Sequence, residues 1–577
     1  MTIASPEICE EKTMLPTEKR WEVAPPIPVE IDQELSQFPR LLRQLLYNRG
    51  ISTTKAAILF LEGQSPEDGN PLQLKSMPEA VARLRRAIST HEPIAIYGDY
   101  DVDGVTATAL LVQVLRSLDA DVREYIPNRF EEGYGVNKDA LSSLHETGVK
   151  LVVTVDCGMR SASEANHARS LGLDMIITDH HLPGEDIPQA IAIINPKQMG
   201  DTYAYKELAG VGLAYKLAVA LLKSFNKPDE EADTYHDLVA IGTVADMALL
   251  TGENRTLVRQ GLMRLRQAER QGVKSLANVA GIKLDRVNAS DLGYTIGPRL
   301  NAAGRLESAL AAYQLLMTQD VNECGRLAQE LDNQNRERQK ITREILEAAQ
   351  SLVFAQDQQP VLLFAYHPEF NPGVVGLAAS RLCEIYYRPA IVAQYGVEYT
   401  VGSCRSIPEL HITQTLDECS DLMERYGGHA AAAGFTIRNE KLPELIERLN
   451  LITHQKLDGL DLKPVIFADA ELTLSELKPE ILEYLDWLQP TGMGNPTPVF
   501  TTRNVQIKRQ YQVGKEAEHL KLIVTDGRIT YDAIAFRQGY LAGQLPQRVD
   551  LMFTYELNEY NGRTTLQLNV RDIKAAG

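Results

Sequence analysis

Three aspartates at alternate positions, Asp99, Asp101 and Asp103, are the residues of this chain that most directly suggest chemistry. They follow the apolar run Ile94 to Tyr97 in the segment IAIYGDYDVDGV, and Gly104 comes directly after the third of them. Carboxylates packed this closely repel one another unless a cation lies between them, and hard divalent ions such as Mg²⁺ or Mn²⁺ favour oxygen ligands. Taken alone, the motif is also compatible with a calcium loop or a solvated Asp-rich turn.

Similar polar residues follow later apolar runs. One run ends in Asp156-Cys157-Gly158 and another in Asp179-His180-His181. In the apolar segment LVAIGTVADMALL, Asp246 is the only carboxylate, and burying it without a partner would be too costly. Asp246 therefore either caps a neighbouring loop or binds metal, and the other carboxylates favour metal binding. Five of these residues are sufficient to bind two divalent ions about 3.5 to 4 Å apart, which is the arrangement used for in-line displacement at phosphorus. These residues are Asp101, Asp103, Asp156, His180 and Asp246.

A parallel sheet is the element that must bring these residues together. Between residues 93 and 196, short apolar runs alternate with helical ones, which is the pattern of a parallel sheet covered on both faces. In such sheets ligands bind beyond the carboxyl ends of the strands, near a topological switch point. Three of the predicted strands end in the polar residues described above, so we expect those residues to share one edge. The predicted strands are Ile94 to Tyr97, Val122 to Ile126, Leu151 to Val155, Met175 to Thr178 and Ala190 to Ile194.

Length and composition limit the possible functions. A chain of 577 residues and 64.1 kDa is too long for one core and predicts about three to five domains. The formal net charge of −18 argues against a protein that coats nucleic acid non-specifically, although it leaves room for a local basic channel. The six cysteines form no CxxC pair, which predicts neither a zinc ribbon nor a disulfide framework. No run approaches the roughly 18 apolar residues of a membrane span, and the first residues lack a signal-peptide core, so we expect a cytoplasmic protein.

The middle of the chain predicts a long helix followed by a second α/β region. The helix, about Val321 to Val353, would span about 50 Å at 1.5 Å per residue, which is enough to join two lobes. The region from Pro360 to about Gln455 contains Arg405 within GSCRS, and an arginine can grip a phosphate with two parallel hydrogen bonds. Glycines around His429 in GGHAAAAG would let backbone N–H groups approach another phosphate. A tightly packed helix start is the alternative explanation of that stretch.

From about Pro464 onward, five short alternating runs predict a small barrel of the OB type. They are separated by glycine-containing turns such as Asp526-Gly527 and Asn561-Gly562. Basic residues and one tyrosine in this region could contact single-stranded nucleic acid, although a purely structural barrel is the alternative: Arg503, Lys508, Arg509, Tyr511, Lys515 and Lys521. If the remaining fold stays intact, truncation near Gly459 should leave chemistry on very short oligonucleotides in place and weaken binding to longer strands.

Several of these motifs together resemble those of the DHH phosphoesterase superfamily. The matching stretches are GDYDVDG (98–104), VDCG (155–158), DHH (179–181) and GTVAD (242–246). RLNAAGR (299–305), GGHAAAAGF (427–435) and LQPTGMGNPTPVF (488–500) narrow the resemblance to its bacterial single-strand-specific exonucleases, from about residue 20 to the end. The implied fold is α/β, with an N-terminal region (1–75), a DHH catalytic domain with a parallel sheet (76–320), a connecting helix (321–356), an α/β DHHA1 domain (357–458) and a C-terminal OB-type β-barrel (459–577).

The resemblance also implies roles for the residues that match. The implied metal ligands are Asp99, Asp101, Asp103, Asp156, His180 and Asp246. All of these except Asp99 are also implied to be catalytic, together with His181, which would lie nearer the scissile phosphate. Asp179 would orient the histidine pair. The implied substrate contacts are Arg129, Arg299, Asn301, Ser403, Arg405, Ser406 and His429, and Arg129, Ser403 and Arg405 would help to receive a 5′-phosphate.

The implied activity is hydrolysis of single-stranded DNA from the 5′ end, with release of 5′-mononucleotides, in DNA repair and recombination. It would require two divalent ions, Mn²⁺ or Mg²⁺, and the protein would be a monomer that works with a single-strand-binding protein and a helicase, away from membranes. One alternative is a DHH phosphoesterase for nano-RNA, 3′-phosphoadenosine 5′-phosphate or a cyclic dinucleotide, but such small substrates need no barrel. The other alternative is a nucleic-acid-binding scaffold that has lost its metal, which the complete ligand set disfavours.

Overall fold

The computed structural model describes residues 18–577 except 68, 130, 357–358 and 561–562. The chain folds into two compact units, one of residues 23–338 with 468–577, the other of residues 339–467 with the described residues up to Glu22. Among the described helices, none combines the length and hydropathy that crossing a lipid bilayer requires. The chain begins with β1 (Arg20–Val23), α1 (Val29–Glu34), α2 (Arg40–Tyr47), α3 (Thr54–Glu62) and α4 (Met77–Ser89).

The predicted parallel sheet is confirmed. Its five strands lie in the order β3-β2-β4-β5-β6, and every neighbouring pair is parallel. The strand core is apolar, and β4 is buried at all five positions. From β2 the chain adds β3 on one side of the sheet and then β4, β5 and β6 on the other side. The carboxyl ends of β2 and β4 therefore flank the topological switch point. The elements are β2 (Ile94–Gly98), α5 (Val102–Ser117), β3 (Val122–Tyr125), α6 (Lys138–Glu146), β4 (Leu151–Val155), α7 (Ala162–Leu171), β5 (Asp174–Thr178) and β6 (Ala192–Ile194).

A helical layer follows the sheet and packs against it. Helices α8 and α10 both pack on α5, and all three share the large core of this region. A short π-helical segment, Leu292–Ile296, leads directly into α14. The helices are α8 (Gly210–Ser224), α9 (Asp229–Asp233), α10 (His236–Ala245), α11 (Gly252–Arg266), α12 (Gln271–Ala280), α13 (Ala289–Asp291), α14 (Gly297–Leu306), α15 (Leu310–Met317) and the long α16 (Val321–Gln356).

The second α/β region contains a mixed five-stranded sheet in the order β10-β11-β9-β8-β7, in which only β7 and β8 are parallel. The stretch GGHAAAAG does not form a helix start, and its contact with a phosphate stays a prediction. It forms the end of β10, a turn and the start of β11. The elements are β7 (Leu363–His367), α17 (Val375–Tyr386), β8 (Ala390–Tyr395), β9 (Tyr399–Arg405), α18 (Ile412–Asp417), β10 (Met423–Gly428), β11 (Ala432–Arg438) and α19 (Leu442–Leu457).

The predicted five-stranded barrel is also confirmed. Strand β14 pairs with both β15 and β17, which closes the sheet, and β16 pairs in parallel with β18. This order is that of an OB-type barrel. Asn561-Gly562, where a turn is predicted, lies outside the described residues. The last elements are β12 (Val465–Ala468), β13 (Ala470–Glu471), α20 (Ile481–Trp487), β14 (Phe500–Val513), β15 (His519–Thr525), β16 (Thr530–Ala535), β17 (Arg548–Tyr560) and β18 (Arg563–Ala575).

The barrel does not have a core of its own. Leu35, Leu42 and Leu46 of the N-terminal helices are fully buried in the same apolar cluster as Phe500 and Phe553 of the barrel. Because these side chains come from opposite ends of the chain, the barrel and the N-terminal helices stabilise each other. The barrel is therefore an integral part of its unit, so we do not expect the remaining fold to stay intact after truncation, which is the condition that the truncation prediction requires.

Candidate active site

The predicted polar residues meet at the carboxyl edge of the parallel sheet. Ligand atoms of Asp99, Asp101 and Asp156 lie within 4.8 Å of one another, and the same holds for Asp103, His180 and Asp246. His180 Nε2 is 3.1 Å from Asp156 Oδ1, 3.8 Å from Asp246 Oδ2 and 3.9 Å from Asp103 Oδ2. His180 and Asp156 therefore connect the two groups into one site.

The start of helix α8 fixes the position of Asp103. The backbone N–H groups of Gly210 and Val211 donate to Asp103 Oδ2 and Oδ1, both at 2.7 Å. These are amides of a first helical turn, which have no intrahelical acceptor and carry the positive end of the helix dipole. The sequence analysis missed this contact, for which the glycine-containing stretch LAGVG was the available signal.

Glycines allow the elements to approach this closely. A Cβ on Gly104 would lie 2.6 Å from the backbone N and O of Asp99, and a Cβ on Gly210 would lie 2.6 Å from Cβ of Asp156. A Cβ on Gly242, in helix α10, would lie 3.0 Å from Asp103 Oδ1. Gly104 therefore makes room for the backbone of Asp99, and Gly210 and Gly242 make room for the side chains of Asp156 and Asp103.

Asp246 and Asp156 both occupy special backbone positions. Asp246 follows helix α10 and is the residue that caps its C-terminus. Asp156 has a left-handed backbone with φ of 61°, which is rare for residues other than glycine and tolerated best by aspartate and asparagine. Such backbone strain persists only where the surrounding structure enforces it, and it is common at functional sites.

Several ligand atoms of this site are suited to a cation. Asp99 Oδ1, Asp156 Oδ1 and His180 Nε2 are buried without a hydrogen-bond partner among the described residues. Asp156 Oδ1 and His180 Nε2 approach to 3.1 Å, yet their geometry is not that of a hydrogen bond. Buried polar atoms normally have partners, and two unpaired ligand atoms that converge in this way are accounted for by a metal ion between them. The residues present therefore fit divalent cations.

The pKa values of the carboxyl groups and of His180 also fit a site for divalent cations. Burial, followed by the neighbouring carboxylates, raises the pKa of Asp103 to about 7 and that of Asp246 to about 9. The same causes raise the pKa values of Asp99 and Asp156 well above their usual range. Burial and the nearby His181 lower the pKa of His180 to about 3, so its ring is neutral at pH 7, as metal binding requires.

We expect the apparent affinity for Mn²⁺ to rise with pH between about 7 and about 9. Asp103 and Asp246 have pKa values of about 7 and about 9 before a cation binds, so the ion must displace protons that they hold at lower pH. Titration calorimetry in two buffers of different ionisation enthalpy should detect those released protons. Asp246→Asn should release fewer protons than the unchanged chain, and an affinity without pH dependence or proton release would contradict the ligand assignment.

His181 lies beside the cluster and is held by Asp179. Its Nδ1 is 2.7 Å from Asp179 Oδ1, and Tyr134 Oη lies 3.3 Å from the same nitrogen. Burial alone would lower the pKa of His181, but the hydrogen bond and charge of Asp179 and the nearby aspartates raise it. Asp179 thus orients one histidine of the pair, and the structure shows no comparable contact to His180 among its described hydrogen bonds.

A cavity of about 340 Å³ opens beside the carboxylates. Asp99, Asp101, Asp246, Arg129 and Asn301 line this metal cavity. The Arg129 guanidinium lies 5.1 Å from the ring centre of Tyr100, which also lines it. The sequence analysis assigned no role to three further lining residues, Tyr134, Met247 and Arg305; Arg305 could have been found because it follows Asn301 by one helical turn in RLNAAGR.

Arg299 lies on α14, as Asn301 and Arg305 do, but its side chain has a different environment. Its Nε donates to Asp332 Oδ1 at 2.9 Å, and Nη1 donates to the carbonyl of Thr295. Asp332 is fully buried, so this ion pair fixes α14 against the long helix α16. The structure gives Arg299 a structural partner, and its contact with substrate stays a prediction.

The remaining predicted substrate contacts lie in the other unit. Arg405 donates to Ser380 Oγ at 3.0 Å, to Ser403 Oγ at 3.1 Å and to the carbonyl of Cys404. Ser406 Oγ donates to the carbonyl of Leu410. His429 has an exposed side chain in the turn between β10 and β11, and its N–H donates to the carbonyl of Ala432 rather than facing solvent. The structure thus brings Ser403 and Arg405 together and leaves Ser406 and His429 with partners of their own.

Comparisons with known proteins agree with this arrangement. Protein-family models described as "DHH family, N-terminal domain", "DHHA1 domain" and "RecJ OB domain" match residues 93–243, 358–455 and 468–572. The chain is 40% identical over 97% of its length to the single-stranded-DNA-specific exonuclease RecJ of Bacillus subtilis, of which it covers 71%. It is 36% identical over 93% of its length to the protein of the same name from Escherichia coli, of which it covers 96%.

Solved structures of RecJ also resemble this chain. The chain superposes on RecJ of Thermus thermophilus in complex with Mn²⁺ with a TM-score of 0.84, at 29% identity, covering 97% of this chain and 80% of that one. For the complex of the same protein with Mg²⁺ the TM-score is 0.78 at 28% identity, covering 97% and 79%.

Proposed function

The chain belongs to the RecJ family of single-stranded-DNA-specific exonucleases, and we propose that it removes 5′-mononucleotides stepwise from the 5′ end of single-stranded DNA. The observation that carries this proposal is one cluster of carboxylates and histidine. Asp103, Asp156 and Asp246 lie close to His180, and Asp99 and Asp101 lie close to Asp156. Several of these buried ligand atoms have no hydrogen-bond partner among the described residues. Repair and recombination are the processes that such an activity would serve.

Two divalent ions, Mn²⁺ or Mg²⁺, would be held by this set of residues. Asp103, His180 and Asp246 would hold one, and Asp99 and Asp101 the other, while Asp156 has ligand atoms within reach of both groups. Ions in such a site supply Lewis acidity and lower the pKa of water, which makes hydroxide available near neutral pH. No side chain then has to form a covalent bond to phosphorus.

The other residues of the site would bind and orient the substrate. Hydrolysis joins the oxygen of water to phosphorus, breaks the bond to the 3′ oxygen of the terminal nucleotide and gives that oxygen a proton. We assign the proton to Nε2 of His181, because Nδ1 faces Asp179 and the pKa of this histidine is raised. Arg129 and Asn301 line the metal cavity and would bind non-bridging phosphate oxygens.

The barrel would bind a part of the DNA strand that lies farther from the metal-binding cluster. Tyr511 is 43% exposed, and β14 pairs it with Lys521 of β15, so an exposed ring and an ammonium group lie side by side. Arg509 lies two residues earlier on the same face of β14. A base can stack on the ring while the cations contact the backbone, which binds single strands without sequence preference. Asp550 and Glu471 already pair with Arg503, and Asp532 Oδ2 lies 3.4 Å from Lys521 Nζ, so Arg509 is the cation that fits this role best.

We further propose that the protein acts as a monomer in the cytoplasm, together with a single-strand-binding protein and a helicase. An enzyme that accepts only single strands depends on other proteins to separate duplex DNA and to keep it open. That requirement supports these partners.

A panel of substrates tests the proposed activity. We expect degradation of single-stranded DNA and little turnover of blunt duplex DNA or of 3′-phosphoadenosine 5′-phosphate. Because the barrel adds contacts that only a strand can use, apparent affinity should increase with strand length. Preferred hydrolysis of the small phosphoester would instead support the alternative activity within the superfamily.

A second prediction concerns the terminal phosphate, for which we propose Ser403 and Arg405 as the receiving residues. Arg405→Ala should lower kcat/KM on 5′-phosphorylated strands by about 10- to 100-fold, the range expected for lost charge-assisted hydrogen bonds. On 5′-hydroxyl strands the loss should be much smaller. Steady-state rates on the two substrates measure the difference.

Arg381 provides the matched control for this prediction. It lies on helix α17, is exposed and pairs with Glu384. Arg381→Ala should therefore have no effect that depends on the 5′ end. Equal losses for Arg405→Ala on both strands would place Arg405 elsewhere along the DNA.

A further inference from the structure

Three exposed apolar side chains lie on two touching segments. Met247 and Leu249 follow the metal-site residue Asp246 along the chain, and Met493 lies in a much later turn. Met247 is 65% exposed, Leu249 37% and Met493 48%. The two segments are joined by a hydrogen bond of 2.7 Å from the N–H of Leu250 to the carbonyl of Met493. Met247 also lines the metal cavity. Leu249 and Met493 therefore extend an apolar surface from the segment that borders the metals.

The first segment is held rigidly in an unusual conformation. Met247 has a left-handed backbone with φ of 61°, which is unfavourable for a residue with an unbranched apolar side chain. The carbonyl of Leu249 accepts hydrogen bonds from Tyr205 Oη at 3.2 Å and Asn254 Nδ2 at 3.1 Å, and Leu250 is buried. The N–H groups of Met247 and Ala248 donate to the carbonyls of Val244 and Thr243, both at 3.2 Å, so Met247 is the left-handed residue that follows the C-terminus of α10, and its side chain is exposed.

The second segment is an equally well-fixed turn. Gly492 and Asn495 pair with each other across the turn, and Met493 lies at its tip. The side chain of Asn495 is buried, donates to the carbonyls of Leu488 and Pro490 and accepts from Arg49 Nε. A Cβ on Gly494 would lie 3.2 Å from Leu249 Cδ2, which shows how closely the turn packs on the first segment.

Single exposed apolar residues are common on protein surfaces, but these three lie on two hydrogen-bonded segments, one of which lines the metal cavity. Metals and phosphates offer no reason for an apolar surface there, whereas the unstacked bases of a single strand present flat apolar faces. Methionine thioethers contact aromatic rings favourably and adapt to different shapes, which suits binding without sequence preference. We propose that Met247, Leu249 and Met493 form an apolar strip that contacts the nucleobases of the substrate strand beside the metal cavity. This inference rests on the proposed function.

The test compares strands with and without bases. The double variant Met247→Ala with Met493→Ala should raise KM for ordinary single-stranded DNA about five- to tenfold, the loss expected for two thioether–ring contacts, with little change in kcat. In EDTA, the dissociation constant should rise similarly for that strand. It should not change for a strand whose sugars nearest the 5′ end carry no base.

Two controls keep this test specific. Met263→Ala removes an exposed methionine from helix α11 and should leave every value unchanged. Replacing Met247 and Met493 with leucine keeps an apolar surface and should restore most of the affinity, even if the alanine pair folds poorly. An unchanged KM in a folded alanine pair, or an equal loss on the base-free strand, would overturn the inference. Absence of turnover by the unaltered enzyme would instead overturn the proposed function.

Discussion

Asp156→Asn is expected to lower the rate of strand hydrolysis by about 10³-fold or more while the fold and strand binding in EDTA persist. Asp156 is buried and lies 3.1 Å from His180, so it is the carboxylate that connects the two groups of ligands. Losses of about 10- to 100-fold are typical of residues that only support metal ligands, and a shared ligand should cost more. Asparagine tolerates the left-handed backbone at this position, so the change removes charge without adding strain.

Asp121→Asn is the matched control. Asp121 is exposed and precedes β3, at the opposite end of the sheet from the cluster. We expect it to leave both turnover and Mn²⁺ affinity unchanged. Substantial turnover by purified, folded Asp156→Asn protein would rule out the assignment of Asp156 as a shared ligand.

Deletion of residues 468–577 should abolish stable folding of the unit that carries the metal site. It would expose Leu35, Leu42 and Leu46, and each buried leucine contributes about 1.5 to 3 kcal/mol. Together these losses approach a typical net stability of about 5 to 15 kcal/mol. The buried Arg255 would also lose the carbonyls of Trp487 and Gln489. We therefore expect a low soluble yield, no cooperative melting transition and no high-affinity Mn²⁺ binding.

A substitution on the barrel surface separates binding from folding. Arg509→Ala should melt like the unaltered chain and should weaken binding to long strands, with a smaller salt dependence. If the deleted chain instead melted cooperatively and degraded short oligonucleotides, the barrel would be an independent module, as the sequence alone suggested.

The strands that carry the site were predictable because each is marked by a short apolar run in its own sequence. Leu151–Val155 was predicted with the same bounds that the structure has, because a short, β-branched apolar run that alternates with helical runs is typical of a strand in a sheet covered on both faces. The polar residues after β2, β4 and β5 then had to share one edge. That reasoning located Asp99, Asp156 and His180 before any three-dimensional information was used.

Features that depend on distant contacts were not predictable. The apolar sequence continues to Leu250, so it gives no sign that α10 ends at Ala245; the contact of Leu250 with Met493 helps to fix the chain beyond that end. Asp103 likewise receives N–H groups from residues more than a hundred positions away. The stretch GGHAAAAG lacks any periodicity, and its hairpin is defined by pairing with the neighbouring strand β9.

The proposed activity is that of a metal-dependent 5′→3′ exonuclease specific for single strands. The most direct measurement follows single-stranded DNA labelled at the 5′ end or at the 3′ end, with Mn²⁺, with Mg²⁺ and with EDTA. We predict that a labelled mononucleotide appears at once from the 5′-labelled strand, that the 3′-labelled strand shortens progressively, and that EDTA stops both reactions. Immediate release of the 3′ label, or undiminished hydrolysis in EDTA, would contradict the account.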